Sequence, residues 1–240
     1  MTKQEILKSW LDASSNIVFF GGAGVSTESG IPDFRSTDGL YSQQYKYPPE
    51  QILSHDFFVN NTAEFYNFYK QKMINLTAQP NYAHRYLAKL EQKNKLKAVV
   101  TQNIDGLHQM AGSKNVFELH GSVHRNYCEN CGKLFSVDRI VNSDRIPHCE
   151  CGGVIKPDVV LYEESLDEQT ILGAVSAIKK CEMLIVGGTS LTVYPASSLI
   201  NYYKGSKLVL INKSITPYDQ QADLCINESI GRLFEEIDDI

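Results

Sequence analysis

The sequence lacks the features that mark several specialised classes of protein. No apolar run approaches the roughly 20 residues that span a bilayer, and Met1-Thr2-Lys3-Gln4-Glu5 does not open a signal peptide. There is no basic surplus: 23 Lys and Arg stand against 28 Asp and Glu, a net charge of −5. That argues against direct nucleic-acid binding or an anionic membrane surface as partner. No internal repeat or low-complexity tract is present, which removes solenoids and linker-rich chains. Cysteine is scarce, at six in 240 residues. The expected setting is cytoplasmic, where disulfides are rare, so those cysteines call for another reason.

What is present is an ordinary globular composition, 42% hydrophobic and 21% charged, in a chain long enough for one large domain and a small module. Thr2…Glu5 is a capping-box pattern, and Ile6, Leu7, Trp10 and Leu11 follow at helical spacing, which predicts a helix over 3–14. Short apolar runs at 17–20, 97–101, 116–119, 183–186, 207–211 and 224–226 read as strands buried on both faces. Helical patterns lie between several of them, at 81–92, from Ser165 to about 180, over 195–203 with Pro195 at its first position, and from about Ser229. Strands alternating with helices predict a Rossmann-like, doubly wound parallel α/β sheet. Lys156–Tyr162, with a proline near its start, reads as an edge strand. The aromatics between Phe57 and Tyr69 have no basic interleaving, so they predict a packing face of helices.

The stretch Ile17–Ser36 organises the rest. After the first strand come Gly21, Gly22 and Gly24, then a Ser/Thr-rich restart through Thr27. Glycines at such a turn let main chain approach a ligand, and free N–H groups there attract phosphate. The same glycines also suit a plain tight turn, and Thr27 stands where a dinucleotide fingerprint has its third glycine. Gln102-Asn103-Ile104-Asp105 follows the second strand, where ligands of open α/β sheets bind, although Asn and Asp there also cap turns. His120 ends the third apolar run and reads either as a structural hydrogen bonder or as a base.

Cys128-Glu129-Asn130-Cys131-Gly132 and Cys149-Glu150-Cys151-Gly152 are two close cysteine pairs with 17 residues between them. Two such knuckles form a tetrahedral four-cysteine site for one zinc ion. Four thiolates leave no open coordination position, so this metal would be structural.

Taken in order, Gly22-Ala23-Gly24-Val25-Ser26, Gly30-Ile31-Pro32-Asp33-Phe34-Arg35-Ser36, Thr101–His108, Leu119-His120-Gly121, the four cysteines and Gly188-Thr189-Ser190-Leu191 resemble the sirtuins, NAD-dependent protein-lysine deacylases. The resemblance covers nearly the whole chain. It implies a large NAD-binding domain from 1–36, 77–121 and 156–240, with a helical insertion at 37–76 and a zinc ribbon at 122–155 forming the small domain. Ala23 and the backbone of Gly22 and Gly24 beside it would hold the NAD pyrophosphate, with Thr27 also in cofactor contact, and Phe34 and Arg35 would belong to a mobile loop that closes over NAD once substrate is present. Gln102, Asn103, Ile104 and Asp105 would line the nicotinamide pocket. Gly188, Thr189, Ser190, Asn212, Lys213 and Ile226 would surround the adenosine half. The acyl oxygen of an acetyl-lysine would attack C1′ of the nicotinamide ribose, and His120 would then act as general base, with Asn103 and Asp105 the other catalytic residues. Free lysine, nicotinamide and O-acetyl-ADP-ribose would be the products. The substrate peptide would bind as an added strand between Val159-Val160-Leu161 and Leu191-Thr192-Val193.

His120 favours deacylation over the alternative that the same chemistry allows, ADP-ribosyl transfer to protein. Two departures from the family pattern carry expectations of their own. Tyr162-Glu163-Glu164 stands where many members have Phe-Gly-Glu, which suggests an acidic rim favouring basic peptide flanks. Tyr41 has no arginine three residues later, since Gln44 stands there, so neutral acyl groups are expected over succinyl or malonyl.

Overall fold

A computed structural model describes residues 1–34, 39–40 and 45–239. Its strands are β1 (Ile17–Gly21), β2 (Leu96–Thr101), β3 (Val116–Glu118), β4 (Gly121–Cys128), β5 (Leu134–Ser136), β6 (Ile155–Val159), β7 (Met183–Gly187), β8 (Leu208–Ile211) and β9 (Leu224–Ile226). Six of them form one parallel sheet in the order β3-β2-β1-β7-β8-β9. That is the doubly wound order in which the direction of winding reverses between β1 and β7.

Alternation along β1 shows why the strands read as continuous apolar runs. Ile17 and Phe19 enter the core on one face, Val18 and Phe20 the core on the other, and none of the four is exposed. The first face is covered by α1 (Lys3–Ala13) and by two helices introduced below, and the Thr2–Glu5 capping box is formed as expected. Between β1 and β2 the chain makes α2 (Pro49–Ile52), α3 (His55–Asn60), α4 (Thr62–Lys72) and α5 (Tyr82–Gln92). After β2 come α6 (Leu107–Met110), α7 (Val137–Val141), α8 (Glu168–Lys180) and α9 (Ile230–Asp238). Helices α5 and α9 complete the first layer, while α8 and the turn at 196–202 cover the second face.

A third core lies apart. Phe57, Phe58, Phe65, Tyr66 and Tyr69 of α3 and α4 pack against Val123, Ile140 and Ile155, and the Tyr66 hydroxyl donates to the Ile155 carbonyl. The aromatic stripe is therefore a packing face. Strands β5-β4-β6 form a second, antiparallel sheet.

Three local differences have physical reasons. The extended run after Lys156 ends at Val159 and pairs with β4, so β6 is the edge of the small sheet and lies beyond the expected boundary at 155/156. Helix α8 is capped by Asp167, whose carboxylate accepts from Thr170 N at 2.7 Å, rather than by Ser165. Ala196–Tyr202 is a 3-10 turn with Pro195 just outside it, not an α-helix begun by that proline.

Candidate active site

The glycine loop after β1 turns through two single 3-10 turns, Ala23–Val25 and Thr27–Ser29, in place of the α-helix its Ser/Thr-rich restart suggests. Gly30, at φ +81, ends the second turn. The loop is pinned to the neighbouring strand's end: Gly22 N donates to Gly187 O and Gly24 N to Gly188 O, the latter at 2.8 Å. A β-carbon on Gly24 would lie 2.8 Å from the Gly188 main chain, and one on Gly22 2.8 Å from Thr189. No larger residue fits either position. Main chain from the β1 and β7 loops thus crosses at the switch point, where α/β sheets take their ligands. This cradle, built where β-carbons have no room, fits the pyrophosphate of a dinucleotide, and the Thr27 hydroxyl is held by Gly24 O at its edge.

Around the cradle the strand ends supply side chains. Gln102 N donates to Gly21 O, and its side chain reaches across the crevice to Thr189 Oγ1 at 3.0 Å. Asn103, only 8% exposed, donates through Nδ2 to Ser26 Oγ at 3.0 Å. Ser26 Oγ in turn donates to Asp105 Oδ2 at 2.7 Å, while Asp105 Oδ1 accepts from Leu107 N. His84 Nε2 lies 3.5 Å from the same hydroxyl. Ile104 is half-buried against the third core.

His120 follows β3. Its Nδ1 is 3.0 Å from Gln102 O, and a carbonyl only accepts, so Nδ1 carries the proton and Nε2 of the neutral ring keeps its lone pair. Burial lowers the pKa of this imidazole, with the Gln102 contact opposing. The ring is therefore neutral at physiological pH, the form a general base requires.

On the far side of the crevice, Ser190, Asn212, Lys213 and Ile226 gather at the ends of β7, β8 and β9. Asn212 N donates to Ile226 O, and Ser190 Oγ pairs with Thr192 Oγ1 at 2.8 Å. Phe34 packs on the third core. Arg35, Tyr41 and Gln44 lie outside the described residues.

Val160 N donates to His120 O, which ties Val159-Val160-Leu161 to the main chain of His120. Opposite, Leu191-Thr192-Val193 is a bend rather than a strand, with Leu191 at φ +55 and its side chain in the core. The rim acids are engaged from behind: Glu163 Oε2 accepts from Asp56 N, and Glu164 meets Lys156 and His55. Glu164 is thus not a free charge facing outward.

The four cysteines converge. All four Sγ atoms lie within 4.8 Å of one another, with Cys128–Cys151 at 3.4 Å and Cys131–Cys149 at 3.7 Å. A tetrahedral four-thiolate zinc centre with Zn–S of about 2.3 Å needs S···S near ~3.8 Å, so the set fits one structural zinc.

Ser26 and His84 are the residues that sequence reasoning passes over. Ser26 sits inside the glycine motif, where a serine reads only as loop. His84 is hidden in an amphipathic helix, where the available signal is an imidazole on the buried face three residues after Asn81, which it caps.

A parallel sheet of this order, with polar side chains gathered at its switch point and a four-cysteine module beside it, defines a dinucleotide-binding α/β protein. The chain belongs to the Sir2 family, whose model matches residues 22–195. It is 61% identical over 235 residues to a Clostridium acetobutylicum protein named NAD-dependent protein deacetylase, covering 96% of each chain. Among solved structures it is similar to a Sir2 complex with a p53 peptide and NAD+, at 40% identity and TM-score 0.87, covering 100% of this chain and 98% of that one. It is also similar to a Sir2 complex with deacetylated p53 peptide and 3′-O-acetyl ADP ribose, at 39% identity and TM-score 0.91, covering 99% and 98%.

Proposed function

We propose that this protein is an NAD-dependent protein-lysine deacetylase that acts on acetyl-lysine in an extended peptide and holds one structural zinc. NAD, when bound, supplies an electrophilic ribose carbon with nicotinamide as leaving group. The carrying observation is His120, a half-buried neutral imidazole whose Nδ1 is held by Gln102 O so that Nε2 keeps its lone pair, on a residue whose carbonyl accepts from Val160 N in the segment that would receive the peptide.

Each group has a part in this reading. Gly22, Ala23, Gly24 and Thr27 cradle the diphosphate, and Thr189, Ser190, Asn212, Lys213 and Ile226 flank the adenosine end. Asn103 and Asp105, joined through Ser26, shape the nicotinamide end, where Asp105 accepts from the carboxamide. His120 withdraws a proton from a ribose hydroxyl. Val159–Leu161 and Leu191–Val193 border the peptide, which binds chiefly through main chain and so with loose sequence preference. Gln102, Ile104, Gly188 and Phe34 complete the walls, and Arg35 is carried by the family resemblance alone. In this reading the chain divides into a large NAD-binding domain and a small one of helical insertion and zinc ribbon, with β6 counted in the small sheet. Reduced, clustered cysteines accord with a cytoplasmic setting.

ADP-ribosyl transfer to protein is not favoured, because a positioned base is dispensable there. The test is incubation with an acetyl-lysine peptide with and without NAD, reading deacetylated peptide and nicotinamide by mass. Deacetylation that proceeds equally without NAD would remove the reading.

A further inference from the structure

Lys156 is 4% exposed, and a lysine this deep needs partners. Its Nζ has three donors and finds three acceptors: Pro157 O at 3.4 Å, Val159 O at 3.2 Å and Glu164 Oε2 at 3.0 Å. The ammonium also lies 5.9 Å from the ring centres of Phe58 and Tyr127, one from the helical insertion and one from β4. Glu164 is as fully used. Oε2 also accepts from Leu161 N at 2.9 Å, Oε1 meets His55 Nδ1 at 2.9 Å, and Glu164 N closes the turn onto Leu161 O.

The turn so closed is fastened to the insertion by main chain as well. Tyr162 N donates to Leu53 O, His55 N donates to Tyr162 O, and Glu163, at φ +76, accepts from Asp56 N. A non-glycine residue in the left-handed region is held there by its surroundings. A buried ion pair adds little net stability over a packed apolar pair. What it adds is direction: Glu164 can satisfy Lys156, Leu161 N and His55 together in only one arrangement of the segment 159–164.

We propose that the Lys156–Glu164 pair is a positioning device that fixes the peptide-side rim, residues 159–164, against the helical insertion, so that peptide affinity depends on it while the chemistry at NAD does not. The inference rests on the reading that acetyl-lysine peptide borders Val159–Leu161. Neither residue touches substrate through its side chain; both act through the main chain of Val159 and Leu161.

The experiment compares the full-length, zinc-loaded parent with Glu164→Ala, Glu164→Gln and His55→Ala. Two readouts are taken: amide hydrogen exchange over 159–164, and steady-state KM for an acetyl-lysine peptide and for NAD together with kcat. Glu164→Ala should speed exchange in the segment at least about tenfold and raise the peptide KM about tenfold, leaving kcat and the NAD KM within about twofold. Glu164→Gln keeps an acceptor for Leu161 N and should raise the peptide KM only two- to threefold. Should the alanine variant not fold, the glutamine and His55→Ala variants carry the test, and an unchanged peptide KM in both overturns the proposal. So does a rise in NAD KM or a fall in kcat that matches the change in peptide KM. Exchange is read without any substrate, so a parent with no peptide-dependent nicotinamide release would count against the deacetylase reading, while unaltered exchange in the variants would count against the tether.

Discussion

The Ser26 hydroxyl donates to Asp105 Oδ2 at 2.7 Å and accepts from Asn103 Nδ2 at 3.0 Å, so one buried serine joins the loop after β1 to the loop after β2. Its single proton is committed to the carboxylate, which fixes which lone pair remains for Asn103. Ser26→Ala removes the donor and leaves the Asn103 amide without that acceptor. A hydrogen bond to a charged group is worth about 1.5–3 kcal/mol, which corresponds to roughly 10- to 150-fold in rate if it bears on the transition state. We expect kcat/KM for NAD to fall by that range and the thermal midpoint to drop by several degrees, since the bond is also present in the folded protein at rest. The check is nicotinamide release measured beside a melting curve; full activity would show that the serine is only a spacer.

His120→Ala should abolish deacetylation and leave nicotinamide exchange, the reversal of the first step, partly intact. The pH profile carries a second check. The active base is the neutral ring, so the rate rises as pH climbs through the pKa of His120. Burial moves that pKa below its ordinary value near 6.5, and the acid limb of kcat/KM should therefore fall below 6.5. A limb at or above about 6.5 would mean that the ring is charged at rest or that another group sets the profile.

Much of this site was legible in the sequence because its parts sit at strand ends. A short apolar run followed by glycine or by Gln-Asn-Ile-Asp announces both the strand and the polar cluster after it, and parallel topology then brings those clusters together. The pairings were not legible. That Gln102 meets Thr189, or that β6 leaves the parallel sheet for β4, depends on contacts between distant parts of the chain. Periodicity cannot separate a 3-10 turn from an α-helix over three residues, so the restart after Gly24 reads as a helix start that the chain does not make. The Lys156–Glu164 pairing is hidden because Lys156 in an extended run reads as solvent-facing and Glu164 reads as a rim charge.

The cysteine cluster yields a metal prediction. Cys128 is 1% exposed and Cys149 6%, so two of the four sulfurs belong to the third core, which they share with Phe65 and Tyr66. Metal binding here is folding energy for β4–β6 rather than a catalytic contribution. The protein should carry one zinc per chain by elemental analysis. Chelation or Cys128→Ala should unfold the small module, seen as faster hydrogen exchange over 121–159 with the parallel sheet still protected. An intact module after complete metal loss would refute the structural assignment.

Acid should destabilise the molecule through two histidines behind the site. His84 and His108 are almost inaccessible, with ring centres 4.8 Å apart, and neither ring nitrogen of His108 has a partner among the described residues. Burial lowers His84 to about 4, with Asp105 and Glu28 opposing and Arg85 assisting, and burial holds His108 well below its ordinary value with His84 adding repulsion. Both folded-state pKa values lie below the unfolded value near 6.5, so the unfolded chain takes up protons first. The stability tied to the neutral rings is complete above about pH 6.5 and is lost as pH falls towards about 4, on the order of 3 kcal/mol for His84 alone. Replacing His108 by Phe, which keeps a ring against Phe19 (6.0 Å between centres) without a proton site, should reduce the loss between about pH 6.5 and about 4.5 measured by chemical denaturation. An unchanged acid slope in that variant would assign the lability to other groups.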